Sequence, residues 1–188
     1  MDIRKPVPTN HGDWLTKFGE TWREQIAKLR DRFGASIEEV RMPSEYPTDV
    51  PIVYVKASDC VRVLSFLKTE PGFEYAFLAD LTATDEGPAE PRFEVVYNLL
   101  SHARLNRIRV KARVNEGQSV PTLAGVWKGA NWAEREVWDM YGIRFDGHPD
   151  LRRILMDERW EGYPLRKDYP LRGYQVFPMP EEIDPKLL

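Results

Sequence analysis

The first strong pattern along the chain is helical. Apolar residues recur three or four positions apart over residues 13–33, and this spacing places them on one helical face. They are Trp14, Phe18, Trp22, Ile26, Leu29 and Phe33. Asp13 is the candidate N-cap, and Gly34 is expected to end the helix. A second helix is predicted after a Ser58 cap, and its core-facing residues are Val61, Leu64 and Leu67.

Alternation of apolar and polar residues predicts strands at 36–41, 50–56, 73–83, 92–100 and 105–114. In the third run one face is expected to carry Phe73, Tyr75, Phe77, Ala79 and Leu81. The core-facing sets of the last two runs are Phe93, Val95, Tyr97 and Leu99, then Ile108, Val110, Ala112 and Val114. Short connections favour antiparallel pairing. The sequence therefore predicts an α+β fold: a two-layer domain whose mostly antiparallel sheet has helices on one face.

The other face of the last strand is basic. It carries Arg107, Arg109, Lys111 and Arg113. Three interpretations stay open: a solvated face, a docking surface for an acidic partner, and a nucleic-acid platform. Sheets that bind RNA place aromatic residues among the basic ones for base stacking, and this strand has none.

A third helix is predicted at 132–141, with a capping arrangement of Asn131 and Glu134 and an end at Gly142. Arg135 and Asp139 are four positions apart and are expected to pair on its surface.

Periodicity disappears after Gly142, where aromatic, charged and proline residues mix. The segment has too many apolar anchors for a free linker but cannot form its own core, so it is expected to lie on its own domain or on a neighbour. We therefore predict three parts: an N-terminal arm at 1–12, the α+β domain at 13–146, and an extended partner-binding tail at 147–188.

Composition excludes several classes of function. The formal net charge is −3, which gives no overall attraction to nucleic acid or to an anionic membrane. No secretory signal or transmembrane run is present in the sequence. Cys60 is the single cysteine, so the chain has no internal disulfide and no cysteine-ligated cluster of its own. Cys60 is either a packing residue or a reactive thiol.

Four residues suggest a metal site at first sight: Glu134, Glu136, Asp139 and His148. Two carboxylates on one short helix with one distant histidine do not form a usual ligand set. No dinucleotide, P-loop or nucleophile-elbow motif is present either. These observations argue against an autonomous enzyme.

Three motifs in the C-terminal half are specific. They are EREVWDMYG at 134–142, GHPDLRRIL at 147–155 and PLRKDYP at 164–170, and residues 121–122 and 127–132 fit the same pattern. Together they resemble the 30 kDa subunit family of respiratory complex I, whose bacterial members are the C subunit of the proton-pumping NADH-quinone oxidoreductase.

The resemblance implies a non-catalytic assembly subunit of the peripheral arm, packed against the hydrogenase-like large subunit that helps to form the quinone site. It implies no cofactor in this chain, with flavin, iron–sulfur clusters and quinone in partner subunits, and no nucleic-acid partner. Membrane association is then expected only through the complex, on the cytoplasmic side of a bacterial inner membrane. An equivalent subunit of a membrane-bound hydrogenase or a related complex is the alternative, and a free-standing RNA-binding module is an alternative of another class.

The resemblance also places the third helix and the tail among the contacts between subunits. The candidate partner-interface residues are Glu134, Arg135, Glu136, Asp139, His148, Arg152, Arg153, Arg166, Lys167 and Asp168. Their charges are expected to matter more to assembly than to folding. On that hypothesis, truncation after Asp146 leaves a folded domain, and charge reversal at Arg152 and Arg153 hardly changes the melting temperature.

Overall fold

A computed structural model describes residues 12–174, with side chains from Phe18 onward. Its α-helices are α1 (Gly12–Phe33), α2 (Cys60–Thr69) and α3 (Ala130–Tyr141). Its strands are β1 (Ile37–Arg41), β2 (Ile52–Val55), β3 (Phe77–Asp85), β4 (Phe93–Ser101), β5 (Asn106–Val114), β6 (Ser119–Pro121) and β7 (Arg144–Asp146). Residues 1–11 of the predicted arm at 1–12 and the end of the tail at 175–188 lie outside the described residues, as does the side chain of Trp14.

The five longer strands form one mixed sheet in the order β1-β2-β5-β4-β3. β1 with β2, β3 with β4 and β4 with β5 pair antiparallel, and β2 pairs parallel with β5. All three helices contribute to one hydrophobic core with one face of this sheet; Leu29, Leu64 and Val137 pack there with Tyr97 and Val110. The predicted α+β class, the mostly antiparallel sheet and the helices on one face are confirmed.

Strand alternation holds where the ladder is regular. The predicted core-facing sets of β4 and β5 are all buried. In the third run Phe73, Tyr75 and Leu81 are buried as predicted, but the prediction is wrong for Phe77 and Ala79. The pairing register of β3 shifts between Leu78 and Asp80. The shift turns Phe77 outward, where it is 49% exposed, while Phe73 and Tyr75 are buried ahead of the strand. A bulge of this kind changes which side chains face the core.

Basic residues on the outer face of the sheet are paired with acidic neighbours at Arg109, Lys111 and Arg113. Lys111 Nζ lies 2.6 Å from Glu94 and Arg113 Nη2 lies 2.6 Å from Glu39. Between them Tyr54 is buried, since the Arg113 guanidinium lies 3.9 Å from the centre of its ring. The aromatic ring of Tyr54 is therefore covered by these charges.

Two predicted helix caps are wrong. Asp13 already lies inside α1, which includes Gly12. Ser58 lies in a short 3₁₀ turn, and Asp59 precedes α2 without a side-chain cap bond. Cys60 follows in the first turn of α2, fully buried, and this burial raises the pKa of its thiol to about 12. The structure therefore favours the packing role for Cys60 over a reactive thiol.

Candidate partner interface

Helix α3 is the element around which the family-like motifs gather. It begins at Ala130, two residues earlier than predicted, and its N-cap Gly129 makes no side-chain bond. The predicted cap of Asn131 and Glu134 is wrong, because Glu134 points into the protein. The helix ends as predicted at Gly142, which has φ 78°. A Cβ at Gly142 would lie 2.5 Å from the Tyr163 ring, so glycine also admits the tail there.

Glu134 is a fully buried carboxylate. Its Oε1 accepts a hydrogen bond from the Leu123 amide at 2.6 Å and its Oε2 accepts one from Thr122 Oγ1 at 2.5 Å. Burial raises the pKa of Glu134, and the bonds from Thr122 and Leu123 offset this only in part. Glu134 thereby ties α3 to the loop that follows β6.

His148 begins the tail next to Glu134, with its side chain buried and Nε2 at 4.0 Å from Glu134 Oε2. The Asp150 amide donates to Nδ1 at 3.0 Å. Nδ1 is therefore the acceptor, and Nε2 donates to the Asn131 carbonyl at 3.0 Å. These two bonds attach the start of the tail to the start of α3.

Asp139 is the second fully buried carboxylate of α3. Its Oδ2 accepts from three successive tail amides, those of Ile154 at 3.0 Å, Leu155 at 2.8 Å and Met156 at 2.9 Å. Its Oδ1 accepts from Arg153 Nη1 at 2.5 Å. Burial alone would raise the pKa of Asp139, but the bonds from the tail outweigh it and hold the pKa below its usual range. We call Asp139, Arg153 and residues 154–156 the Asp139 lock.

Arg153 extends the lock further along the tail. Its Nη2 donates to the carbonyls of Trp160 at 2.8 Å and Gly162 at 3.1 Å. Arg135 donates to the carbonyls of Arg152 and Arg153. The predicted surface pair of Arg135 with Asp139 is therefore wrong, because both side chains bond to the tail that covers this side of α3.

A second attachment of the tail to the domain lies where β3 ends and β4 begins. The carboxylate of Asp85 is 2% exposed and pairs with Arg92 Nη2 at 2.9 Å. It also accepts from the tail amide of Lys167 at 2.8 Å. The Arg92 guanidinium, helped by the amides of Lys167 and Gly87, holds the pKa of Asp85 far below its usual range. We call Asp85, Arg92 and the amide of Lys167 the Asp85 anchor.

Further ion pairs surround the Asp85 anchor. Arg92 contacts Asp168 at 2.9 Å and Glu116 at 2.9 Å. Arg166 contacts Glu116 at 2.5 Å, and its Nε donates to the Tyr141 carbonyl at 2.6 Å. The tail is thus fastened to both ends of α3 and to two loops of the sheet.

The end of the described tail forms a small aromatic cluster. The rings of Trp160 and Tyr169 stack at 6.3 Å, and Tyr174 meets Tyr169 edge-on at 5.0 Å. A Cβ at Gly162 would lie 2.6 Å from the Tyr169 ring, so only glycine allows this approach. The predicted boundary at residue 146 stays a prediction, and the tail up to Tyr174 lies on the domain that it follows.

The structure separates the ten predicted interface residues into two groups. Most of them face their own chain, either in the Asp139 lock and its neighbours or around the Asp85 anchor. Glu136 and Arg152 are exposed, and so are Lys167 and Asp168, although the Lys167 amide and the Asp168 carboxylate bond to Asp85 and Arg92. Sequence reasoning missed Asp85, Arg92 and Glu116, because nothing in their local sequence signals contact with a segment 50 or more positions away.

Residues 12–174 contain no group of three His, Cys, Asp or Glu side chains placed to hold a metal ion. Nor does this part of the chain contain a helix long and apolar enough to cross a membrane. An open groove of about 510 Å³ lies beside the Asp85 anchor, and its lining mixes Glu90 and Glu116 with Arg92 and Lys167. Such alternating charge favours neither anions nor cations.

Known proteins match most of the chain. The C 2 subunit of NADH-quinone oxidoreductase from Rhizobium etli is 46% identical over 149 residues, which are 79% of this chain and 78% of that protein. The C subunit of the Geobacter metallireducens enzyme is 49% identical over 79% of this chain and 89% of its own length. The fused C/D subunit from Azotobacter vinelandii is 42% identical over 83% of this chain and 27% of its own.

A solved structure agrees in fold. The trypsin-resistant fragment (1-134) of Nqo5 matches with a TM-score of 0.58 and 27% identity, covering 70% of this chain and 99% of that chain. Residues 53–175 match the family described as "Respiratory-chain NADH dehydrogenase, 30 Kd subunit". These residues hold α3, the Asp139 lock and the Asp85 anchor. The chain therefore belongs to the 30 kDa subunit family of the respiratory-chain NADH dehydrogenase, complex I.

Proposed function

We propose that this chain is a non-catalytic assembly subunit of the peripheral arm of a proton-pumping NADH-quinone oxidoreductase, packed against the quinone-site large subunit. The observation that carries the proposal is the tail, which is held on α3 by buried charges within the family's own region of the chain. A segment fixed in this way presents a rigid surface to a neighbour. The function of the chain is to keep neighbouring subunits at a constant distance and orientation.

The fused relative supports the choice of partner. Its name joins the C and D subunits in one polypeptide. Two parts of one polypeptide belong to the same assembly, and we infer that the separate chain has the corresponding neighbour. The hydrogenase-like large subunit is the partner that the motifs imply.

The described acids support a structural role. Glu134, Asp139 and Asp85 are buried and their oxygens accept hydrogen bonds from their own chain. A catalytic acid or base needs access to a substrate proton, and these three groups are enclosed. We propose that flavin, iron–sulfur clusters and quinone are held by partner subunits. We also propose that the chain reaches the cytoplasmic face of the bacterial inner membrane only through them.

Co-purification tests the proposal. A tagged chain, expressed in its own organism, should retain the large subunit and the flavin and iron–sulfur subunits, identified by mass. The isolated chain should show no visible absorbance and no stoichiometric iron. Recovery of a nickel–iron hydrogenase subunit instead would establish the alternative host complex. Stoichiometric flavin or iron in the isolated chain would overturn the non-catalytic assignment.

A further inference from the structure

The basic residues along the outer face of β5 are neutralised except at the start of the strand. Acidic side chains lie 2.6–3.7 Å from Arg109, Lys111 and Arg113. Arg107 is exposed, and among residues 18–174 no side chain forms an ion pair or a hydrogen bond with its guanidinium. A single exposed cation is ordinary on a protein surface. Its neighbours therefore decide whether Arg107 belongs to an interface.

The strand register places apolar side chains directly beside Arg107. In the β4–β5 ladder Arg107 is opposite Leu100, and in the β3–β4 ladder Leu100 is opposite Phe77. Residues that are directly opposite share a face of the sheet and have Cβ atoms about 4.5–5.5 Å apart. Phe77, Leu100 and Arg107 therefore form one continuous row across three strands. We call this row the Phe77 corner.

The apolar part of the Phe77 corner is open to solvent. The side chain of Phe77 is 49% exposed, and Leu100 is half-buried. The His102 ring meets Phe77 edge-on, with 5.5 Å between the ring centres, so the aromatic ring is supported from one side. Aromatic residues and arginine are the types most enriched at the centre of protein interfaces. The Phe77 corner brings both types together.

The backbone on both sides of the Phe77 corner has an unusual conformation. Within the part of the chain that the structure describes, Glu74 and Leu105 are the non-glycine residues with positive φ, at 51° and 53°. Glu74 precedes β3 and Leu105 precedes β5, and Arg104 links the two turns because its Nε donates to Glu74 at 2.8 Å. Such backbone persists where surrounding contacts fix it, and it is frequent at binding sites.

The Phe77 corner is separate from the place where the tail is fastened to the sheet. Phe77 begins β3, whereas Asp85, which accepts from the Lys167 amide, ends it. At about 3.3 Å per residue the two ends of this strand are roughly 26 Å apart. The corner is therefore a surface distinct from the Asp85 anchor.

We propose that the Phe77 corner binds an acidic segment of a neighbouring subunit in the peripheral arm. A carboxylate of that segment pairs with Arg107, and an adjacent apolar side chain packs on Phe77. The inference rests on the proposed function, because the partner belongs to the same complex. Charge decides the occupant, since arginine binds a carboxylate through two parallel hydrogen bonds and no acid of the described chain takes that place. A nucleic acid fits poorly, because its phosphates need several free cations and the other three basic residues of this face are paired.

Photo-cross-linking in the intact complex tests the occupant. Phe77→p-benzoylphenylalanine, in the full chain expressed in its own organism, keeps an aromatic side chain that cross-links to its neighbours under ultraviolet light. We expect it to join a peptide of another peripheral-arm subunit in which Asp or Glu is next to an apolar residue. Cross-links only within the chain, or to a peptide without an acid, would contradict the proposal.

Tyr46→p-benzoylphenylalanine is the matched control for the cross-link. Tyr46 is 43% exposed and lies in the β1–β2 connection, at the opposite edge of the sheet from β3. It should not join the peptide that position 77 joins. The same peptide at both positions would mean that the cross-link does not locate the contact.

Charge reversal tests the ion pair. Arg107→Glu should lower the amount of the chain retained in the purified membrane complex by about tenfold or more, the size of effect expected at the centre of an interface. The melting temperature of the isolated chain should stay unchanged, because the side chain is exposed. Replacing the cross-linked acid of the partner by lysine should restore retention of the Arg107→Glu chain. Arg23→Glu is the matched control, since Arg23 is an exposed arginine of α1 without an ion pair among the described residues.

The outcomes separate the inference from the proposed function. If the wild-type chain does not co-purify with subunits of NADH-quinone oxidoreductase, the proposed function itself is wrong. If it does, and the Arg107→Glu chain is retained equally well, the Phe77 corner is not a contact although the proposed function stands. Equal losses for Arg107→Glu and Arg23→Glu would show a general effect of charge, and the inference would fail as well.

Discussion

Asp139 and Glu134 lie on the same helix, both fully buried, yet their pKa values move in opposite directions. Asp139 accepts hydrogen bonds from three amides and a guanidinium, and these bonds stabilise its negative charge. Glu134 accepts hydrogen bonds from one amide and one hydroxyl, and within the described residues no Lys or Arg pairs with it. The number and charge of the donors, more than burial, decides which carboxylate is stable as an anion.

The raised pKa of Glu134 makes the stability of the folded protein depend on pH. A carboxyl whose pKa is raised by folding binds more protons when folded, so stability falls as pH rises above the ordinary value of 4.5. Glu134→Gln keeps an acceptor for Leu123 and a donor for Thr122 but carries no charge. We expect it to raise the free energy of unfolding at pH 8 by roughly 1 kcal/mol, the size of a typical net hydrogen-bond change.

Denaturant unfolding at pH 5 and pH 8 measures this effect. The gain from Glu134→Gln should shrink toward acid pH, where the wild-type carboxyl takes up its proton. A variant that is destabilised equally at both values would show that the charge of Glu134 is structurally useful.

Arg153 and Arg152 provide a matched pair of neighbours. Arg153→Met leaves the buried Asp139 carboxylate without its cation, and the loss of one partner of a buried pair costs about 3–5 kcal/mol. Arg152 has a side chain that is 62% exposed, so Arg152→Met should leave unfolding unchanged. The hypothesis that charge reversal at both positions hardly affects the melting temperature is therefore replaced: position 153 is expected to be costly. Equal behaviour of the two variants in thermal unfolding would contradict the Asp139 lock.

Acid should weaken the same lock. Folding lowers the pKa of Asp139, so its contribution is present above the ordinary value of 3.8 and is lost as pH falls through the lower folded value. Release of the tail below pH 3.8, before the sheet unfolds, is the expected sequence in amide exchange. Simultaneous loss of tail and sheet protection would mean that the two are not separable.

At the scale of elements, the tail up to Gly162 contains the whole of the Asp139 lock. A chain that ends at Gly162 keeps Arg153 and the carbonyls it contacts, but it loses the bonds of residues 166–168 to the Asp85 anchor and Glu116. A chain that ends at Asp146 also loses the Asp139 lock, with its cation and all three amides, and should therefore be less stable than the chain that ends at Gly162. This revises the expectation that truncation at Asp146 leaves the domain undisturbed. Urea unfolding of both chains measures the difference, and equal midpoints would refute it.

At the scale of the whole molecule, the outer sheet face should not bind nucleic acid. Lys111 and Arg113 are paired with Glu94 and Glu39, and Tyr54 is covered by guanidinium groups. Base stacking needs an open aromatic face. We expect no submicromolar binding of single-stranded RNA at physiological salt in fluorescence titrations. Salt-sensitive binding that is lost when Arg107, Arg109, Lys111 and Arg113 are neutralised would contradict this.

The sequence by itself determined the α+β class, the alternation of β4 and β5, and the end of α3 at Gly142. Each of these depends on residues that are close along the chain, through periodicity or through the conformational freedom of glycine. The family was also readable, because its three motifs lie close together between residues 134 and 170. The capping prediction for α3 failed because a local bond competed with a distant one. Glu134 bonds to Thr122 and Leu123 rather than to its own helix end.

Only the tertiary structure decided the course of the tail and the roles of its charges. Asp139 meets residues 153–156, and Asp85 meets Lys167 across 82 positions. The bulge in β3 likewise depends on how that strand pairs with β4. Contacts of this kind depend on which surfaces the fold brings together, and no local pattern encodes them. Several of the charges that suggested a partner interface, among them Asp139, Arg153 and Arg166, hold the tail on its own domain. Buried ionic groups are stable only where they find partners.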